Sequence, residues 1–251
     1  MTTASRTTAR RVLAQTRFET IAVLRNGEQL LLTVVLPVLA LVALTRTSLV
    51  PLPEPRADAA LAGAVALAVA STAFTGQAIA VAFDRRWGVL RMLSTTPLGP
   101  TGLLGGKLGA VLAVIAVQVA LLVGVAAALG WRPDGVGPAQ LLAAVVLVVL
   151  GAAAFVSFAL LLGGTLRPEG VLAIANLVWV LMAVGGGLVL PLGVLPAPLD
   201  TVMSLTPPGA LGEGLRTLAT TGLVDVPAVV ALLVWTAIGS WLAGRYFRWD
   251  A

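Results

Sequence analysis

Residues 139–165, AQLLAAVVLVVLGAAAFVSFALLLGGT, contain no charged side chain, and a run of that length leaves a chain few places to fold. About 20 apolar residues in a helix cross a hydrocarbon core of about 30 Å. Comparable runs fall at about 29–49, 59–82, 103–129, 171–190 and 226–244. Backbone groups in lipid must be satisfied internally, so a spanning chain is either helical or a closed barrel. The runs are continuous Leu, Val and Ala rather than alternating, which excludes barrel strands. Charged residues make up 11% of the chain, against about 25% in soluble domains. The sequence predicts an all-α integral membrane protein with six transmembrane helices in a single transmembrane domain.

Two residue types are missing altogether, Cys and His. Disulfides, thiol chemistry and the usual zinc sites go with them, so no metal site is expected. Of the sixteen basic residues, twelve fall on the side of the termini and four on the other. The positive-inside rule then puts both termini in the cytoplasm. The net charge of +5 follows this topology rather than forming a basic face for nucleic acid. No secretory signal is expected, because the first apolar run follows five arginines and two glutamates.

Flanking the spans are two unusual segments. Residues 9–25 read as an amphipathic helix lying in the interface under the first span, or as a solvated basic leader. Val12, Leu13, Thr16, Thr20, Val23 and Leu24 share an uncharged arc opposite Arg10, Arg11, Arg17 and Arg25, with Phe18 and Ile21 among the arginines. Residues 191–225 are too apolar for a plain loop and too broken by Pro191, Pro196, Pro198, Pro207 and Pro208 for a seventh span. Short external re-entrant helices between spans 5 and 6 are expected, covered by protein or a water-filled cavity. A surface loop packed on the bundle is the other reading.

The spans hold almost nothing ionisable; their mid-span polar residues are Ser71, Thr72, Gln118, Ser157 and Asn176. A proton- or ion-coupled carrier keeps titratable groups at mid-membrane, so that mechanism is disfavoured. Gln118 and Asn176 are interhelical hydrogen-bond partners or, alternatively, line a path for an amphipathic solute. Gly105 and Gly109 have the spacing of close helix packing, as do Gly185, Gly186 and Gly187. Trp131, Trp241 and Trp249 read as interface anchors. A phosphate-binding loop is absent around Lys107, where Thr101 replaces the first Gly and Leu108 the Ser or Thr. No nucleophile and base pair stands out, so no catalytic residue and no enzyme activity are expected.

Between the second and third spans lies FDRRWGVLRMLSTTPLGPTGLLGGKL. Asp84, Arg85 and Arg86 leave a span, Gly88 permits a turn, VLRML fits one or two helical turns, and Pro97 and Pro100 end them. Topology alone accounts for the basic charge, but not for the order of residues. That order, DRRWGVLRMLSTTPL followed by GGKL, resembles the cytoplasmic signature of the ABC-2 family of export permeases. VLPAPLDTVMSLTPPGALGEGLR resembles that family's external region. The likeness covers the six-span layout from residue 9 to 245 and looks nearest to the drug-resistance branch. Arg91 departs from it, standing where the family has an acid.

The resemblance implies the transmembrane permease of an ATP-binding-cassette exporter. A separate cytoplasmic ATPase, in two copies, would hold the ATP and Mg²⁺, and this chain would need no cofactor of its own. A second permease copy would complete the path, as a homodimer or with a related chain. The ATPase-coupling residues it implies are Arg11, Arg17, Arg25, Glu28, Asp84, Arg85, Arg86, Gly88, Arg91, Thr96, Pro97 and Lys107, with Lys107 anchored at headgroups. Pro196, Pro207, Glu213 and Arg216 would form an external gate. Competing readings are a non-conducting membrane anchor or regulatory subunit and an ion-coupled carrier. An apolar lining suits a drug or lipid-like compound, and membrane lipids are natural partners. The Ala, Val, Leu, Gly and Arg bias suits a bacterial plasma membrane.

Overall fold

A computed structural model describes residues 3–27, 31–94, 99–133, 136–193 and 197–248, and every regular element among them is helical. In chain order these are α1 (Thr3–Arg25), a π-helical turn (Leu31–Val35) leading into α2 (Leu36–Arg46), α3 (Arg56–Arg86), α4 (Val89–Ser94) and α5 (Gly99–Ala128). Then come α6 (Pro138–Thr165), α7 (Pro168–Gly185), α8 (Ala197–Ser204), α9 (Pro207–Thr221) and α10 (Val226–Tyr246). Helices α3, α5, α6, α7 and α10 are long and apolar enough to cross a membrane, and Thr33–Arg46 is a shorter apolar helix. The chain is an all-α membrane protein.

Helix α3 is the core of the bundle. Every residue from Ala59 to Ala78 is buried, and α2, α5, α6, α7 and α9 all pack on it. Its sequence explains why: Ala, Gly, Ser and Val on every face let neighbouring backbones approach closely. A π-helical turn, Ser71–Gly76, interrupts it midway. There Trp179 Nε1 of α7 donates to Ser71 Oγ (2.8 Å), and Thr72 Oγ1 donates to Gln118 Oε1 of α5 (3.0 Å). Gln118 Nε2 in turn donates to the Thr33 carbonyl (2.7 Å). Interhelical bonds of this kind are each worth roughly 0.6 kcal/mol in a membrane, and here they fasten four helices at one level. Gln118 is buried and acts as the interhelical partner that was one of its two expected roles, with the oxygen and the nitrogen of its amide both hydrogen-bonded. Asn176 is half-buried on α7 and outside this network.

Two spans end earlier than the hydropathy suggests. The expected first span, 29–49, stops at Arg46 because Arg56 folds back on the helix end. Its Nε donates to the Leu44 carbonyl (2.9 Å) and its Nη2 to those of Val50 (3.0 Å) and Thr47. The expected fifth span, 171–190, stops at Gly185, after which Gly187 takes a left-handed φ of 83°. Residues beyond it are buried without being helical.

The proline-broken segment 191–225 folds into α8 and α9, not into a surface loop. Pro207 and Pro208 start α9, where their fixed φ suits the first turn, and Gly222 ends it at φ 72°. Most of α9 is buried against α3, α6 and α10. Trp235 Nε1 donates to the Leu205 carbonyl (2.7 Å). Trp235 lies midway along α10, so the turn into α9 reaches the middle of the bundle. Short helices between spans 5 and 6 are present as expected; protein covers α9, whereas α8 is largely exposed, with Leu199 50% and Val202 59% exposed.

Candidate functional site

The candidate coupling surface forms where α3 ends, at the end of the bundle that also carries α1, α4 and the start of α5. Trp87 caps α3, and Gly88 turns the chain with a left-handed φ of 71°, a conformation that glycine adopts without steric cost. The turn lays α4 against the bundle through Leu90, which is 1% exposed. Arg91 and Met92 face outward beside Trp87. Trp87 is 69% exposed and Met92 62%, and the Trp87 ring packs on Phe83 with centroids 5.2 Å apart. Trp, Met and Arg together are the residues enriched at protein interfaces. The sequence reading singled out the arginine and passed over Trp87 and Met92; a Trp between basic residues was the available signal.

Lys107, expected at the headgroups, is instead buried, with its side chain 3% exposed. Its Nζ lies 2.7 Å from Asp84 Oδ2 and 3.0 Å from Glu19 Oε1. The reason is the packing of α1 across α5. Gly106 and Gly109 leave room for Gln15 and Thr16, and a Cβ at Gly109 would sit 2.6 Å from Thr16 Oγ1. Thr16 Oγ1 donates to the Gly106 carbonyl (3.3 Å), and the close approach brings Glu19 over the lysine. An ammonium taken out of water requires counter-charges, and α1 and α3 each supply one. Three elements far apart in sequence therefore meet at the chain's one lysine. Glu19 was absent from the expected site because it falls among polar residues that look solvated.

Arg85 is also turned inward, contrary to the expectation of an outward ion pair. It is 7% exposed, and its guanidinium donates to the carbonyls of Gly164 and Leu166. Those carbonyls end α6, where a cation also meets the negative end of the helix dipole. Arg86 remains exposed and pairs with Glu169 in the first turn of α7. Asp84 is committed to Lys107, whereas Arg11, Arg17 and Arg25 lie exposed along α1. So do Leu13 and Leu24, so the uncharged arc of α1 does not face the bundle as a whole. Glu28, Thr96, Pro97, Pro196 and Trp249 lie outside the described residues.

At the opposite end, Arg216 is 1% exposed. Its Nη2 donates to the carbonyls of Gly187 (2.7 Å) and Leu188 (2.6 Å), and its Nη1 to Glu213 Oε1 (2.6 Å). Glu213 also accepts from the Leu192 N–H (2.8 Å). Burial pushes the Glu213 carboxyl above its ordinary range against the pull of Arg216. Pro207 sets the start of the same helix, whose length carries Glu213 and Arg216 to this junction. Of the expected gate residues, Glu213 and Arg216 form a clamp on the chain leaving α7, while Pro207 stands at the start of α9 and lines the cleft described next.

Between α6 and α7 a cleft of about 680 Å³ opens. The two helices join at residues 166–167 and diverge, and Pro207 and Pro208 at the start of α9 also line the cleft. Phe74, Phe155, Phe158 and Trp235 line its walls, and Thr165 and Leu166 lie at its narrow, basic end. Trp131, expected at an interface, donates to Asp58 Oδ1 (2.8 Å), while Trp241 is exposed on α10.

No curated protein matches the chain. A family model described as ABC-2 family transporter protein matches residues 29–245, which takes in the α3–α4 corner, Lys107, the α9 clamp and the cleft. That match covers most of the sequence, and the chain belongs to the ABC-2 family of membrane transport proteins.

Proposed function

We propose that this chain is the permease of an ATP-driven exporter, in which a separate cytoplasmic ATPase subunit, in two copies, binds ATP and Mg²⁺ and hydrolyses the nucleotide. The basic end faces the cytoplasm with both termini, in a bacterial plasma membrane. Two permease copies surround the path, by default as a C₂ homodimer, and the cargo is a hydrophobic or amphipathic compound, drug-like or lipid-like. The absence of titratable groups from the middle of the spans supports an outside energy source over an ion gradient.

The observation that carries this reading is the meeting of Glu19, Asp84 and Lys107. It ties α1, the end of α3 and the start of α5 into one unit, and Trp87, Arg91 and Met92 are exposed at the corner that follows α3. A push by a cytoplasmic partner on that unit reaches two spans at once, which is what a lever needs. A pull-down of the detergent-solubilised chain against the cytosolic ATPases of its own cell tests it. Trp87→Ala with Arg91→Glu is expected to lower ATPase capture at least tenfold while leaving the unfolding midpoint unchanged. Capture that is undiminished, or no ATPase captured by the unaltered chain, overturns the assignment of this surface.

A further inference from the structure

We propose that the cleft between α6 and α7 is a binding site for an anionic phospholipid of the surrounding bilayer, one acyl chain lying along the aromatic wall and the phosphate at the basic end. The cleft's volume, about 680 Å³, falls among ligand pockets of roughly 300–1,000 Å³. Its lining is apolar throughout its length. The Thr165 hydroxyl is turned to the Leu161 carbonyl (2.7 Å), and Trp235 Nε1 to Leu205, so neither asks for a polar ligand. An occupant that is apolar along the cleft and polar only at one end fits this lining.

Charge decides which amphiphile. Leu166 lines the narrow end, and Arg167 follows it, exposed, in the α6–α7 turn. Arg248, also exposed, is held beside it, because its N–H donates to the Gly164 carbonyl (3.2 Å) and the Phe247 ring packs on Gly164. Neither arginine is in an ion pair among the described residues, and the nearby carboxylate, Glu169, is engaged by Arg86. Arg167, next in sequence to the lining residue Leu166, and Arg248, bonded through its backbone to Gly164, put two cations near one end of an apolar cleft, which complements a phosphodiester without a compensating choline. A second copy of the chain is a poorer fit, because a concave cleft lined by Phe74, Phe155, Phe158 and Trp235 matches a flexible chain better than a helix ridge.

The test uses the full-length chain in nanodiscs of neutral phospholipid doped with phosphatidylglycerol carrying a photoactivatable acyl chain, or with phosphatidylcholine carrying the same chain. Adducts are mapped by mass spectrometry. The expected result is phosphatidylglycerol labelling concentrated in residues 155–166 and 174–182, at least fivefold above phosphatidylcholine. Arg167→Gln with Arg248→Gln is expected to bring the two lipids to equal labelling. Val178→Trp, which fills the cleft, should remove the cleft adducts from both lipids while leaving those on the exposed α5 face around Val117 and Leu121. Equal labelling by the two lipids in the unaltered chain, or adducts spread evenly over α5 and α10, overturns the proposal. So does a cleft protected from both lipids in nanodiscs holding two copies but labelled in those holding one, which would make the second copy the occupant. No ATPase enters the experiment, so its outcome is separate from that of the exporter reading.

Discussion

Lys107 and Arg216, buried at opposite ends of the bundle, hold different things, and Arg85 at the Lys107 end resembles Arg216 in holding carbonyls. Lys107 joins side chains, with Glu19 and Asp84 as acceptors, while Arg216 joins mostly backbone, with the Gly187 and Leu188 carbonyls as acceptors. A link made of carboxylates reads the sequence at three positions and can be undone by an amide at any of them. Backbone acceptors persist under any substitution, so everything at that end depends on the arginine. Its planar fork holds several donors in a fixed geometry that fits these acceptors, whereas an ammonium is a compact point charge. The difference teaches how each end is built: the α9 clamp fixes the chain leaving α7 to the core, while the lysine junction ties α1 to the end of α3 and the start of α5.

The most severe way to break the comparison is Arg216→Met. It strands two buried carbonyls and Glu213, and the expected loss is about 5 kcal/mol, the upper end for a broken buried ion pair. Unfolding in mixed micelles by titrated SDS measures it, and Arg216→Lys is expected to recover less than half. Next comes Lys107→Met, which leaves Glu19 and Asp84 facing each other, with an expected loss of about 3 kcal/mol, the lower end of the same range. Here the acceptors can be changed too: adding Glu19→Gln and Asp84→Asn should restore most of the midpoint, a rescue that the α9 clamp cannot have. If the triple variant is no more stable than Lys107→Met, the two ends are alike and the contrast fails.

Gly109→Leu sharpens the account of how the lysine junction is assembled. Overpacking against Thr16 is expected to cost about 1–3 kcal/mol and to expose α1 to limited proteolysis before the rest of the chain. A rate of α1 cleavage equal to that of the unaltered protein would mean that α1 is held by Lys107 alone. The smallest effect belongs to Glu169→Gln. Its pair with Arg86 is solvent-exposed, where screening leaves little net energy, so the unfolding midpoint should not move detectably.

Hydropathy made the spans legible because a helix in lipid needs length and apolar character, both local properties. The α3–α4 corner was legible for the same reason, since Gly88 and the turns of VLRML act within a few residues. What each charge does was not. Arg85, Arg86 and Arg91 look alike in sequence, yet one caps α6, one pairs with α7 and one faces outward beside Trp87. The partners of the first two lie on helices distant in the chain, and no local pattern encodes them. The role of α3 was half-visible: its Ala-rich character was plain, but small residues suit either tight packing or a weak span, and only the five neighbouring helices decide.

By itself the sequence determined that this chain is a helical membrane protein, where its spans lie, and which loop carries the ordered basic segment. Those follow from transfer free energies and backbone geometry, which act residue by residue. The tertiary structure alone decided that Lys107 is buried between two carboxylates, that α9 enters the bundle under the hold of Arg216, and that α6 and α7 diverge to leave an apolar cleft. Each depends on groups brought within a few ångströms from distant parts of the chain, and a buried charge takes its meaning from whichever counter-charge or carbonyl the packing places beside it.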